Sequence, residues 1–146
     1  MLVFNSCQVY RTRQLSLGVD DESFLINIYS FHYLLVVKGV FHLIRVDGWE
    51  TRLDEFINSR LNKRFVWGKH DCALFSCDAI KEITSIDVAY FFRGQYRNKF
   101  SAYELLKQFA GGGLLETVEK LSKEFDMPEI DMSFAGRGDW VLCNVP

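Results

Sequence analysis

Apolar positions change their spacing near residue 47 of the chain. Beyond Asp47 they recur at three- and four-residue intervals, the spacing of helices with one buried face. Trp49, Leu53, Phe56, Ile57 and Leu61 share the face of a first helix. Asp47 as N-cap and Glu50 three residues later fit its capping box, and Asn62 its stop. A second helix starts from Asp71 as N-cap with Cys72 at its first position, and Cys72, Phe75, Ala79, Ile80 and Ile83 fall on one side. Ser101 with Glu104 reads as the capping box of a third helix, whose apolar face holds Ala102, Leu105, Leu106 and Phe109. Gly111-Gly112-Gly113 ends it, and a fourth helix runs from Leu114 or Leu115 to Phe125 on Leu115, Val118, Leu121 and Phe125. After Met127-Pro128 the only regular signal is a strand at Trp140-Val141-Leu142-Cys143. Its partners must come from the N-terminal segment. The pattern predicts an α+β fold, mostly helical, with few strands.

Residues 1–46 read as an apolar N-terminal extension, and 47–146 as the domain proper. The run from Phe24 to Val46 is rich in β-branched and aromatic residues but interrupted by Asn27, Ser30, His32, Lys38 and His42. Three readings stay open: a strand–turn–strand across Lys38-Gly39, a membrane-crossing helix, and a buried helix. The hairpin is favoured over the membrane contact. Lys38 near the middle of a span would cost about 2.5–3.5 kcal/mol on insertion.

With 146 residues, half of them hydrophobic and a quarter charged, the chain suits one globular domain. A net charge of -2 argues against a nucleic-acid binder that relies on bulk electrostatics. The basic residues Arg60, Lys63 and Arg64 read instead as the solvated C-terminal end of the first helix. Cys7, Cys72, Cys77 and Cys143 make no Cys-x-x-Cys pair and no dense framework, so all four read as thiols and neither a disulfide scaffold nor a zinc site is expected. No metal and no cofactor is implied. The N-terminus lacks the order of a secretory signal, which leaves a cytoplasmic protein as the default reading.

The chemistry concentrates at Phe65-Val66-Trp67-Gly68-Lys69-His70-Asp71-Cys72. A thiol at the first position of a helix meets unpaired backbone N–H groups and the positive end of the helix dipole, both of which favour the thiolate. Gly68 allows the turn to bring the backbone close to a substrate carbonyl, and the N–H of Cys72 can donate to an oxyanion. Trp67 serves either as a wall for substrate or as a buried anchor of the turn. A cysteine nucleophile also needs a base.

Trp67-Gly68-x-x-Asp71-Cys72 at the start of a helix resembles the nucleophile motif of the NlpC-like branch of papain-superfamily cysteine peptidases and amidases. The longer run Phe65 to Phe75 resembles a poorly characterised phage and prophage family of that superfamily. Arg93-Gly94-Gln95-Tyr96, the glycine triplet and Arg137-Gly138-Asp139-Trp140-Val141-Leu142 follow in that family's order. The likeness covers roughly Gly48 to Leu142. It implies a papain-like fold, Cys72 as nucleophile, Asp71 beside it, and peptidoglycan peptides as ancestral substrate; Tyr96 is a candidate to line the cleft, with no role assigned by the resemblance. It also implies a histidine on a strand after Gly138, and none follows there. His70 belongs to the turn, and His32 and His42 lie outside the resemblance. The chain therefore reads as an incomplete NlpC-like domain with a truncated sheet and little hydrolytic activity. The competing reading is a noncatalytic phage tail structural or assembly protein on the same scaffold.

Overall fold

The computed structural model describes residues 7–13, 36–37, 40–41 and 43–143. In chain order these form β1 (Cys7–Tyr10), β2 (Val36–Val37), β3 (Val40–Phe41), α1 (Trp49–Arg60), α2 (Cys72–Thr84), α3 (Lys99–Ala110), α4 (Leu114–Glu124), β4 (Glu129–Ile130), a 3-10 turn (Met132–Phe134) and β5 (Trp140–Cys143). The fold is α+β. β1 lies between β4 and β5 in a three-stranded antiparallel sheet. β2 and β3 pair separately and antiparallel, with Val37 opposite Val40. Most of the apolar run 24–46, with His32 and His42, lies outside the described residues. Among the described residues no helix is long and apolar enough to cross a membrane.

The expected strand at Trp140 finds its partner at the other end of the chain. Tyr10 faces Trp140 and Cys7 faces Cys143, and the last two are joined as a disulfide. Reading all four cysteines as thiols is thus corrected for that pair. Their separation of 136 positions leaves no local signal in the sequence.

Helix α2 packs on two sides. Leu74, Cys77 and Ile80 belong to the larger core with Val88, Phe92, Val118, Leu121 and Phe125. Ile83, with half-buried Phe75 and Ala79, meets Trp49, Leu53 and Phe56 of α1. The single apolar face expected for α2 is therefore two faces, and Cys72 sits on neither as a buried residue: it is exposed. Ile57 and Leu61, expected on the buried face of α1, are exposed, as is Leu115 on α4.

Two caps also differ from the expectation. Gly48, in the left-handed region at φ 71°, takes the N-cap of α1, with no side-chain cap. The α3 cap is Asn98, whose side chain accepts from the Ser101 N–H at 2.9 Å, three residues ahead of the expected cap at Ser101. Asn98 outcompetes Ser101 because its carboxamide reaches the N3 amide while the Ser101 hydroxyl accepts from Asn98 N–H at 3.2 Å.

Candidate functional site

The turn ahead of α2 is closed by its own backbone. Val66 and His70 pair across it, with Val66 N–H donating to His70 O and His70 N–H to Val66 O, each at 2.8 Å. Gly68 then turns at φ +71°. A Cβ at this position would lie 2.1 Å from the carbonyl oxygen of Tyr96. Gly68 is thus required by a close approach to its own chain, and the space the sequence reading gave to a substrate carbonyl is filled by Tyr96. Gly94 N–H donates to Gly68 O at 2.8 Å, which ties Arg93-Gly94-Gln95-Tyr96 to the cysteine turn.

Asp71 is the hub. It is buried, and its Oδ1 accepts from Leu74 N–H at 3.0 Å, the N-cap bond expected from the sequence. Its Oδ2 accepts from Gly68 N–H at 2.9 Å and from the Tyr96 hydroxyl at 2.6 Å. Burial, then this bond to the Asp71 carboxylate, pushes the Tyr96 phenol above its ordinary range. Tyr96 therefore stays a donor at neutral pH. Trp67 packs edge-on to both Phe65 and Tyr96, with ring centroids 5.0 and 6.4 Å apart. The turn is held from three sides before any substrate arrives.

Cys72 follows at the first position of α2, on the rim of a cavity of about 570 Å³. Trp67, Asp71 and Tyr96 line the same cavity, so four of the five site residues read from sequence converge there, while Gly68 supports them from behind. The sequence reading missed other walls. Lys99, Tyr103 and Leu106 reach the cavity from α3, Val118 and Leu121 from α4, and Trp140 and Leu142 from β5. Trp140 Nε1 donates to Ser76 O at 3.3 Å, linking the sheet to the helix that carries Cys72. Its place immediately after Gly138-Asp139 was the one signal for it.

The second cysteine of α2 is different in kind. Cys77 is buried, and its thiol is pushed up to about 12, chiefly by desolvation. It is a core residue. His70 does not line the cavity; its ring stands edge-on to Phe75, on the α1 side of α2, with centroids 6.2 Å apart. The Nδ1 of His70 is buried without a hydrogen-bond partner among the described residues.

Arg137-Gly138-Asp139 forms a separate polar centre. The Asp139 side chain is fully buried and binds the guanidinium groups of Arg11 and Arg45, each at 2.8 Å, and Gly136 N–H at 2.9 Å. Arg45 also stacks over Trp49 at 4.6 Å. A Cβ on Gly138, at φ +85°, would lie 2.8 Å from the Trp49 ring. Burial alone would raise the Asp139 carboxyl, but its bonds to Arg11 and Gly136 and the charge of Arg45 outweigh that and hold it below the usual range. This motif is structural: it fixes the start of β5, and through it Trp140.

Among the described residues no group of three or more His, Cys, Asp and Glu side chains is placed to hold a metal ion. Residues 44–146 match the family model described as "Domain of unknown function (DUF6950)". No curated protein and no solved structure matches the chain.

Proposed function

The chain belongs to the DUF6950 family, and we propose that this domain is an NlpC-like cysteine peptidase- or amidase-type unit with Cys72 as its nucleophile. Its setting would be a phage or prophage and its ancestral substrates peptidoglycan peptides. The observation that carries this reading is the exposed Cys72 at the first turn of α2, on a cavity rim, with its turn locked by Asp71, Gly68 and Tyr96. That rigidity matters because a nucleophile must be held to a fraction of an ångström. Attack of the Cys72 thiolate on an amide carbonyl would break the C–N bond and form a thioester, the amine leaving with a proton taken from water; hydrolysis of the thioester would then free the acid and return the thiolate. The Cys72 N–H, at the open end of the helix, is an oxyanion donor.

The same geometry limits the rate. General-base help is worth about 10²- to 10⁴-fold. Both Asp71 oxygens are already engaged, and His70 faces Phe75 away from the cavity. Little hydrolysis is expected from the groups described. This favours, as a second reading, a noncatalytic phage tail or assembly protein that keeps the scaffold. The test is the second-order rate of iodoacetamide with Cys72, compared with a cysteine in an unstructured peptide across pH. A rate well above the peptide's at pH 7 supports an activated thiol. A rate equal to or below it removes the nucleophile reading, and particle assembly unaffected by Cys72→Ala would then favour the second.

A further inference from the structure

The cavity beside Cys72 is mostly apolar, and most of its polar side chains are engaged within the protein. The Tyr96 hydroxyl is bonded to Asp71, the Ser76 hydroxyl to Cys72 O, the Thr117 hydroxyl to Gly113 O and the Trp140 indole to Ser76 O. Tyr10 donates to Gln8 Oε1 at 3.3 Å. Besides the Cys72 and Cys77 thiols, three polar side chains of the lining make no such bond among the described residues: the Trp67 indole at the cysteine turn, and Lys99 and the Tyr103 hydroxyl on α3. The two on α3 form the polar edge. They stand four apart on α3, on one side of that helix, and both are exposed at the cavity edge.

We propose that this cavity binds one long-chain monocarboxylate, its aliphatic tail among Phe92, Leu106, Val118, Leu121 and Leu142 and its carboxylate at Lys99 and Tyr103. The volume of about 570 Å³ falls within the roughly 300–1,000 Å³ of small-molecule sites. An alkyl chain has no polar group to leave unpaired against such walls. The charge at the edge is matched to an anion. Lys99 makes no ion pair among the described residues, and it occupies the first turn of α3, where the helix dipole adds to its field. The inference does not require Cys72 to react.

The experiment is calorimetric titration of the whole chain with octanoate, decanoate, dodecanoate and tetradecanoate below their micelle concentrations, with helix content followed by circular dichroism. One-to-one binding is expected, tightening about three- to fourfold per added methylene until the cavity is full. Dodecyltrimethylammonium, the cation with the same tail, should bind at least tenfold more weakly than dodecanoate. Lys99→Glu, a change at an exposed position, should erase or reverse that preference. Leu106→Trp and, independently, Ala102→Phe fill the cavity from α3 and should abolish binding at unchanged helix content. Absence of saturable binding, no dependence on chain length, equal affinity for anion and cation, or undiminished binding in whichever cavity-filling variant folds would each overturn the proposal. A fast-alkylating Cys72 with no fatty-acid binding, or the converse, separates this inference from the nucleophile reading.

Discussion

The Tyr96 hydroxyl donates to Asp71 Oδ2 at 2.6 Å, joining a loop 25 positions downstream to the residue that caps the cysteine helix. Both side chains are buried, so the bond is shielded from water. Through this pair the loop 93–96 sets the height and angle of the α2 N-terminus, and with it Cys72.

Tyr96→Phe keeps the ring and removes the donor. Asp71 retains Gly68 N–H and Leu74 N–H, so the loss is that of one charge-assisted bond, about 1–3 kcal/mol. Asp71→Ala removes the cap as well and is expected to cost more. Urea denaturation midpoints of the two variants against the parent check the order.

Gly68 and Gly94 share the same backbone angle, φ +71°, but not the same surroundings. At Gly94 a Cβ meets nothing within 4 Å, so Gly94→Ala carries only the left-handed penalty of about 1–2 kcal/mol. At Gly68 the same methyl strikes the Tyr96 carbonyl. Gly68→Ala must displace the loop and break the Gly94–Gly68 and Tyr96–Asp71 bonds together. It is expected to cost at least twice as much as Gly94→Ala, read from thermal midpoints, and to alter the alkylation rate of Cys72, which Gly94→Ala leaves unchanged.

How far the fold could be read in the sequence follows from how local each cause is. Asp71 announces α2 because its cap acts on an amide three residues away, and Gly111 ends α3 for the same reason. Asp47 misled: the chain satisfies that corner with Gly48 in the left-handed region, and a carboxylate nearby is not enough to make a cap. The central strand β1 was invisible, because Cys7–Tyr10 becomes a strand only against residues near the other end of the chain. Cys72 was legible as a helix start with chemistry. The apolar cavity was not, since its walls come from α2, α3, α4 and β5 and no window of sequence contains them.

Acid should act through Asp139. Its folded pKa lies below the ordinary carboxylate value, so its contribution is fully present above the unfolded value near 4 and is lost as pH falls through the folded pKa. Asp87, held low by its bonds to Arg93 and Ala89 N–H against the opposing effect of burial, adds in the same direction. Stability is therefore expected to decline below about pH 4. Asp139→Asn leaves Arg45 nearly buried without its counter-charge and should cost about 3–5 kcal/mol at pH 7. Its stability should fall less steeply between pH 4 and 2 than that of the parent, as measured by urea midpoints at each pH.

The disulfide and the two thiols predict a graded cysteine count. Cys7–Cys143 closes nearly the whole chain, and in the chain-entropy account a loop of 136 positions is worth up to about 5 kcal/mol. Reduction, or Cys143→Ser, should lower the thermal midpoint and loosen β5, which carries the Trp140 wall of the cavity. In the native oxidised protein iodoacetamide should modify Cys72 alone, because Cys77 is buried and its thiol, pushed to about 12, is roughly one part in 10⁴ thiolate at pH 8. Unfolding without reductant should release Cys77, and unfolding with reductant should release Cys7 and Cys143 together. Mass spectrometry then reads one, two and four adducts in the three conditions. A native protein that takes up three or more would contradict the pairing of β1 with β5 by a covalent bond.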